Sequence, residues 1–181
     1  MDPETWTRVF STNISGTFLT AQLWLQGLRS HPDAATLKNP SLVLIGSEAG
    51  RFGVRTQAAY AASKSAVQGG LLSSLRADAP RICERARVNA VAPGPVDTVR
   101  FREETGGPGT REWWVECEGT TALRRPVPRE AVARAVLGLA SERWSGSVHG
   151  QVLNVDSGKE GAVMWMPSEE GAAGAKVLQE G

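Results

Sequence analysis

SLVLIGSEAG, residues 41–50, carries an unbroken apolar run from Leu42 to Ile45, with β-branched Val43 and Ile45, and Gly46 ends it. A short run that is apolar at every position predicts a strand buried on both faces rather than one wetted on alternate residues. Downstream, EAGRFGVRTQ reads as a loop. Gln57 to Arg76 has no proline and is dominated by Ala, Ser, Leu and Gly, which predicts a helix with a small-residue face. RARVNAVAPGP (85–95) predicts a second buried strand, broken by Pro93, Gly94 and Pro95. Arg129 to Glu142 places Val132, Ala133, Val136, Leu137 and Ala140 on one helical face, and GQVLNVDSG (150–158) predicts a third strand. Upstream, Asp2 and Pro3 form a helix start, and Trp6, Val9, Phe10, Ile14, Phe18 and Leu19 recur at helical spacing to about Leu28. HPDAATLKNP then reads as a loop. Alternating strands and helices predict an α/β fold, a parallel sheet with right-handed crossovers. Ligands of such sheets sit beyond the carboxyl ends of the strands, here Gly46–Ser47, Ala92–Thr98 and Val155–Gly158.

Composition narrows the function classes. The chain is 41% hydrophobic and 22% charged with a net charge of +1, so no strong field invites nucleic acid or an anionic membrane as partner. Cys83 and Cys117 lie far apart, which suits a reducing compartment and offers neither a disulfide framework nor a metal site. No apolar run approaches the roughly 20 residues of a membrane helix. MDPETWTRVF opens in a polar helical pattern unlike a signal or transit peptide, so a cytoplasmic location is expected.

The chemistry-bearing residues cluster at YAASK (60–64). Tyr60 is the only tyrosine, and Lys64 is one of 4 lysines against 16 arginines. Residues four apart on a helix share a face, so the phenol and the ammonium point into one cleft. A phenol has a reference pKa of about 10, and a neighbouring ammonium favours its ionised form. Such a pair can exchange a proton with a substrate oxygen, which is general acid–base work. Ser47, at the end of the preceding strand, can hold the same oxygen. Each piece has a plainer reading: a tyrosine packing its ring in the core, a turn serine, a proline strand stop.

RVFSTNISGTFLTAQ, SLVLIGSEAG, YAASK, RVNAVAPGPVDT and GQVLNVDSG together, in this order and at these separations, resemble the short-chain dehydrogenase/reductase family over roughly residues 4–158. The resemblance implies a Rossmann-like fold and hydride transfer between a nicotinamide and a carbonyl or alcohol carbon. It implies NAD(P) as cofactor, with NAD against NADP left open. Tyr60 resembles the family's acid/base, Lys64 the residue that tunes it and bonds the nicotinamide ribose, and Ser47 the hydroxyl that positions the substrate oxygen. Asn13 resembles the asparagine that holds a water behind the lysine. Pro93, Gly94, Val96 and Thr98 resemble the turn over the nicotinamide, with the Val96 backbone and Thr98 hydroxyl near its carboxamide.

The family's opening strand and its TGxxxGxG turn, which seats the pyrophosphate on a helix N-terminus, have no match in this sequence. The expectation is a truncated sheet of about three of the usual seven strands with flanking helices. Residues 1–158 would be a partial catalytic domain and 159–181 a partly disordered tail. SLVLI would then present an open apolar edge. Two function classes follow: an NAD(P)-dependent oxidoreductase completed by further chain, or a relative without redox activity that acts as a non-redox catalyst or pairs with a full-length relative. The segment 97–127, with Phe101, Trp113 and Trp114, is expected to form a substrate lid suited to a bulky, mostly apolar carbonyl or alcohol. The Asn13 and Tyr60 helices resemble the family's dimer interface and imply a homo-oligomer.

Overall fold

The computed structural model describes residues 2–166. Helix α1 (Pro3–Phe10) begins as the sequence predicts. The Asp2 carboxylate accepts the Thr5 N–H at 2.8 Å, and Pro3 occupies the first turn, where an amide would go unpaired anyway. A π turn (Ser11–Ser15) joins it to α2 (Gly16–Ser30), so the first rod runs past Leu28 to Ser30. Strand β1 (Ser41–Ile45) follows, and α3 (Ala49–Phe52) adds one helical turn to a stretch predicted as loop.

The Tyr60 helix is longer than predicted. Helix α4 (Ala58–Ala66), a second π turn (Val67–Leu71) and α5 (Leu72–Ile82) run end to end, through Pro80. Proline has no N–H to give the carbonyl four residues back, that of Arg76. His149 fills the gap. Its Nε2 lies 2.8 Å from the Arg76 carbonyl oxygen, while its Nδ1 accepts the Val88 N–H at 3.1 Å. An accepting Nδ1 leaves the ring proton on Nε2, where it is donated to Arg76.

Strand β2 (Arg87–Pro93) is followed by α6 (Val99–Thr105), α7 (Arg111–Trp113) and a third π turn (Trp114–Glu118). The polar excursion therefore contains three short helical segments between turns. Helix α8 (Arg129–Ala140), α9 (Glu142–Ser145) and β3 (Val152–Val155) close the described chain. The sheet has the order β1-β2-β3 with both pairings parallel, Ser41 opposite Arg87 and Ala90 opposite Val152.

Central β2 is buried from Arg87 to Ala92 although polar Arg87 and Asn89 alternate with its apolar residues. Edge strand β1, expected to be buried on both faces, is buried only at Leu44 and exposes Ile45, because no described strand pairs with its outer edge. Val88 and Ala90 of β2 join Leu44, Ala21, Val67 and Leu75 in a core beneath α2 and α5. Arg87 and Asn89 serve the opposite face. The Arg87 guanidinium donates to the carbonyls of Leu139 (3.0 Å) and Ala140 (3.2 Å) at the end of α8, to Ser145 O (2.8 Å) and to Asn39 Oδ1 (2.7 Å). A buried cation is tolerated there because its donors meet acceptors at the negative end of a helix. Asn89 clamps the turn into β3, donating to Val148 O at 2.9 Å and accepting the Gln151 N–H at 3.0 Å.

The expected tail is only partly a tail. Lys159 donates to Thr120 Oγ1 at 2.8 Å, Glu160 N–H to Thr120 O at 2.9 Å and Trp165 Nε1 to Thr121 O at 3.1 Å. These bonds tie residues 159–165 to the end of the excursion, because Thr120 and Thr121 lie in a turn whose carbonyls need partners. The remaining expectation, disorder at 167–181, lies outside the described residues.

Candidate active site

A cleft of about 790 Å³ opens beyond the carboxyl ends of β1 and β2. Asn13, Ser47, Tyr60, Gly94 and Val96 all line it, brought together from the first π turn, the end of β1, α4 and the turn after β2. Lys64, Pro93 and Thr98 stand behind this wall. Pro93 is the last residue of β2, paired with Val155, and its carbonyl accepts the Glu48 N–H at 3.0 Å. The Thr98 hydroxyl caps α6 by accepting the Phe101 N–H at 3.0 Å.

Tyr60 and Lys64 share a face of α4, with the ammonium 5.7 Å from the centre of the phenol ring. Lys64 Nζ donates to the Ile45 carbonyl at 3.0 Å, at the end of the open edge strand. Burial pushes the ammonium below its ordinary value. Asn13 Nδ2 donates to Ser63 Oγ at 2.9 Å, and Ser63 Oγ donates to the Tyr60 carbonyl at 2.7 Å. Fully buried Ser63 thereby locks the Asn13 turn to the turn that presents Tyr60. Asn13 lies within the first π turn, an irregularity common at functional sites.

Ser47 is buried, and its backbone N–H donates to Gln68 Oε1 at 2.9 Å. Its Oγ donates to Glu48 Oε2 at 2.8 Å and accepts the Ala49 N–H at 3.2 Å. Glycine is needed beside it. A Cβ on Gly46 would meet Gln68 Oε1 at 2.2 Å, and one on Gly50 would lie 2.8 Å from the backbone of Lys64 and Ser65. A Cβ on Gly94 would meet Asp156 Cα at 2.6 Å, which presses the turn after β2 against the end of β3.

Sequence reading missed Ser63, Gln68 and Glu48. Gln68 had a signal, since it follows Lys64 by one helical turn on the same face. Glu48 had none, because a carboxylate in a loop is unremarkable until its partner is known. The expectation of an apolar ligand space also meets a different lining: Arg8, Glu48, Arg100, Glu104, Glu112 and Glu116 reach the cleft beside Val9 and Phe101. Of the three expected aromatic residues, Phe101 lines the cleft while Trp113 packs behind it, their ring centres 5.3 Å apart.

The residues fit one half of a nicotinamide dinucleotide. Gly94 and Val96 line the same cleft as Tyr60. The pyrophosphate half is not matched among the described residues. The turns leaving β1 and β2 enter helices of only 4 and 7 residues, already capped by the Glu48 and Thr98 side chains. A carboxylate on a helix N-terminus occupies the place an anion would need.

The profile described as Enoyl-(Acyl carrier protein) reductase matches residues 1–160. The chain is 31% identical over 161 residues to 2-(S)-hydroxypropyl-CoM dehydrogenase 3 of Xanthobacter autotrophicus, covering 87% of this chain and 58% of that one. It is 33% identical over 163 residues to the 3-oxoacyl-[acyl-carrier-protein] reductase FabG of Thermotoga maritima, with the same coverage of 87% and 58%. Among solved structures, an NAD(P)-dependent gluconate 5-dehydrogenase, so described provisionally, from Beutenbergia cavernae with NADP at low occupancy superposes with a TM-score of 0.75. It shares 27% identity, over 87% of this chain and 58% of that one. The chain thus spans less than two thirds of the length of these relatives.

Proposed function

The chain belongs to the short-chain dehydrogenase/reductase family, and on that footing we propose that it forms the catalytic wall of an NAD(P)-dependent oxidoreductase interconverting a carbonyl and a secondary alcohol. The observation that carries this reading is the convergence of Asn13, Ser47, Tyr60, Gly94 and Val96, from four separate segments, on one cleft. A packing role alone gives no reason for a phenol, a hydroxyl and an amide to meet at the carboxyl ends of parallel strands.

In this reading Tyr60 exchanges a proton with the substrate oxygen. Ser47 holds that oxygen. Lys64, its ammonium 5.7 Å from the ring centre, places a positive charge beside the phenol. Asn13, through Ser63, keeps the helix turn that carries Tyr60 in place. Gly94 and Val96 would hold the nicotinamide ring, and a bound nicotinamide supplies or removes the hydride. The proposed substrate is a small-molecule carbonyl or alcohol, and the proposed location is the cytoplasm. No described helix is long and apolar enough to cross a membrane. A homo-oligomer built on the Asn13 and Tyr60 helices completes the proposal.

The chain by itself is expected to bind NADH or NADPH weakly or not at all, because dinucleotide affinity comes largely from the pyrophosphate seat. Binding and activity are expected once β–α units carrying that seat are supplied beside β1. Calorimetric titration of both forms with NADH and NADPH tests this. Micromolar binding by the chain alone would show a cofactor seat built from other residues. The Glu48-capped turn and the open β1 edge favour a second reading, a non-redox relative that pairs with a full-length one. In that case the completed form also stays inactive.

A further inference from the structure

We propose that Gln68 is a positioning residue for the reaction: together with Lys64 it grips the end of β1 as a neighbouring strand would, and so fixes Ser47 relative to Tyr60. The role rests on the reading of Ser47 as the group that meets the substrate oxygen.

The Gly46 N–H donates to Val91 O at 2.8 Å, so this peptide turns its N–H towards β2. The carbonyl of the same peptide, that of Ile45, points the opposite way, because a trans peptide directs the two groups apart. Lys64 Nζ meets it there, donating at 3.0 Å. Two residues on from Ile45, the Ser47 N–H donates to Gln68 Oε1 at 2.9 Å. A residue in a parallel ladder makes such a pair of bonds with its backbone. It gives its N–H to one residue of the neighbouring strand and accepts from the residue two further along. Here two side chains of one helical rod make both bonds. Tyr60, Lys64 and Gln68 follow one another at intervals of four, the first two on α4 and the third in the second π turn.

Two glycines make room for this grip. A Cβ on Gly46 would meet Gln68 Oε1 at 2.2 Å, and one on Gly50 would meet Gln68 Nε2 at 2.8 Å. The Gln68 amide therefore lies in a slot between two residues without side chains. Ser47 is buried, so its N–H needs an acceptor within the protein. Both bonds lie at or beyond the last residue of β1, so a strand pairing along Ser41–Val43 leaves them in place. The rod that presents the phenol thus also holds the peptide that carries the Ser47 hydroxyl into the cleft wall. Misplacing a catalytic group by about 1 Å can cost about 10²-fold in rate, which is why such a grip matters to the reaction.

Amide hydrogen exchange on the chain itself reads the grip, with the Gly46 amide on the opposite edge as the control. Q68M keeps the length of the side chain and replaces its amide by a thioether, a weak acceptor. The Ser47 amide should then exchange about tenfold faster, the worth of one hydrogen bond, while the Gly46 amide keeps its rate. Q68A should act in the same way and stands in if Q68M fails to fold. Q68E keeps an acceptor and should keep the Ser47 amide protected. In the form completed beside β1, Q68M should lower kcat at least about tenfold with the cofactor KM unchanged, and Q68E should recover it. A Ser47 amide as slow in Q68M as in wild type overturns the proposal. Faster exchange at Ser47 and Gly46 alike also overturns it, and so does a kcat that survives the lost bond. If the completed wild-type form turns over no carbonyl or alcohol compound, the proposal falls with the oxidoreductase reading, and the exchange rates still show whether the grip exists.

Discussion

Tyr60 and Lys64 are legible as a pair from spacing alone, and the structure puts them on one face of α4 as the helical period requires. If Tyr60 is the acid/base, Tyr60→Phe should lower kcat of the completed enzyme at least about 10²-fold, with folding intact because only a hydroxyl leaves. Activity within a few-fold of wild type removes the residue from the chemistry. Lys64 carries a separate expectation for stability. Burial places its folded pKa below the ordinary 10.5, so the folded chain releases this proton before the unfolded chain does. The cost of burying the charge is present in full below the lowered value. It is relieved as pH rises through that value, and relief is complete at 10.5. Stability should therefore climb across that window in the wild type and not in Lys64→Met. Urea denaturation at stepped pH reads the difference, and parallel curves would contradict it.

Two elements owe their limits to contacts that no local pattern encodes. The sequence predicts that the Tyr60 helix stops at Arg76, since Pro80 lies ahead, yet it continues to Ile82 because His149 satisfies the carbonyl that Pro80 cannot. His149→Ala should cost about 1–2 kcal/mol, chiefly through the Val88 N–H left without its acceptor, and thermal denaturation should show it. A stability equal to wild type would mean that water replaces the ring at both positions. Glycines within the same region divide sharply. Gly50→Ala forces α3 away from α4 and should destabilise by about 1–3 kcal/mol. A Cβ on Gly69 meets nothing within 4 Å, and Gly69→Ala should stabilise by about 0.5–1 kcal/mol, as removing a helix glycine does. Loss of stability in Gly69→Ala would instead indicate that the exposed face of the second π turn packs tightly against another copy.

At the scale of the molecule the decisive feature among the described residues is a three-stranded parallel sheet with β1 at one edge. Ile45 is 46% exposed there, and Phe18, Leu19 and Leu23 of α2 are 49%, 53% and 66% exposed. Apolar side chains beside an unpaired strand edge promote association. Sedimentation at micromolar concentration should show species larger than the monomer, and Ile45→Lys with Leu23→Glu should shift the population towards monomer. A wild-type chain that sediments as a clean monomer would count against both the open edge and the helix-mediated assembly.

The sequence by itself determined the order and type of the three strands, the helices between them, and the identity of Tyr60, Lys64, Ser47 and Asn13 as candidates. These follow from apolar runs, helical spacing and motif order, which are local or nearly so. It could not show that 97–127 holds three short helical segments or that 159–165 is anchored, because Thr98, Thr110 and Lys159 act as caps and ties only once their partners are near. Tertiary structure alone decided which candidates face the cleft. Lys64 and Thr98 spend their polar groups on Ile45 and Phe101, and the Ser47 hydroxyl is committed to Glu48, one residue along the chain. Where a side chain points depends on which donors and acceptors burial brings within reach, and that is a property of the packed chain rather than of any stretch of it.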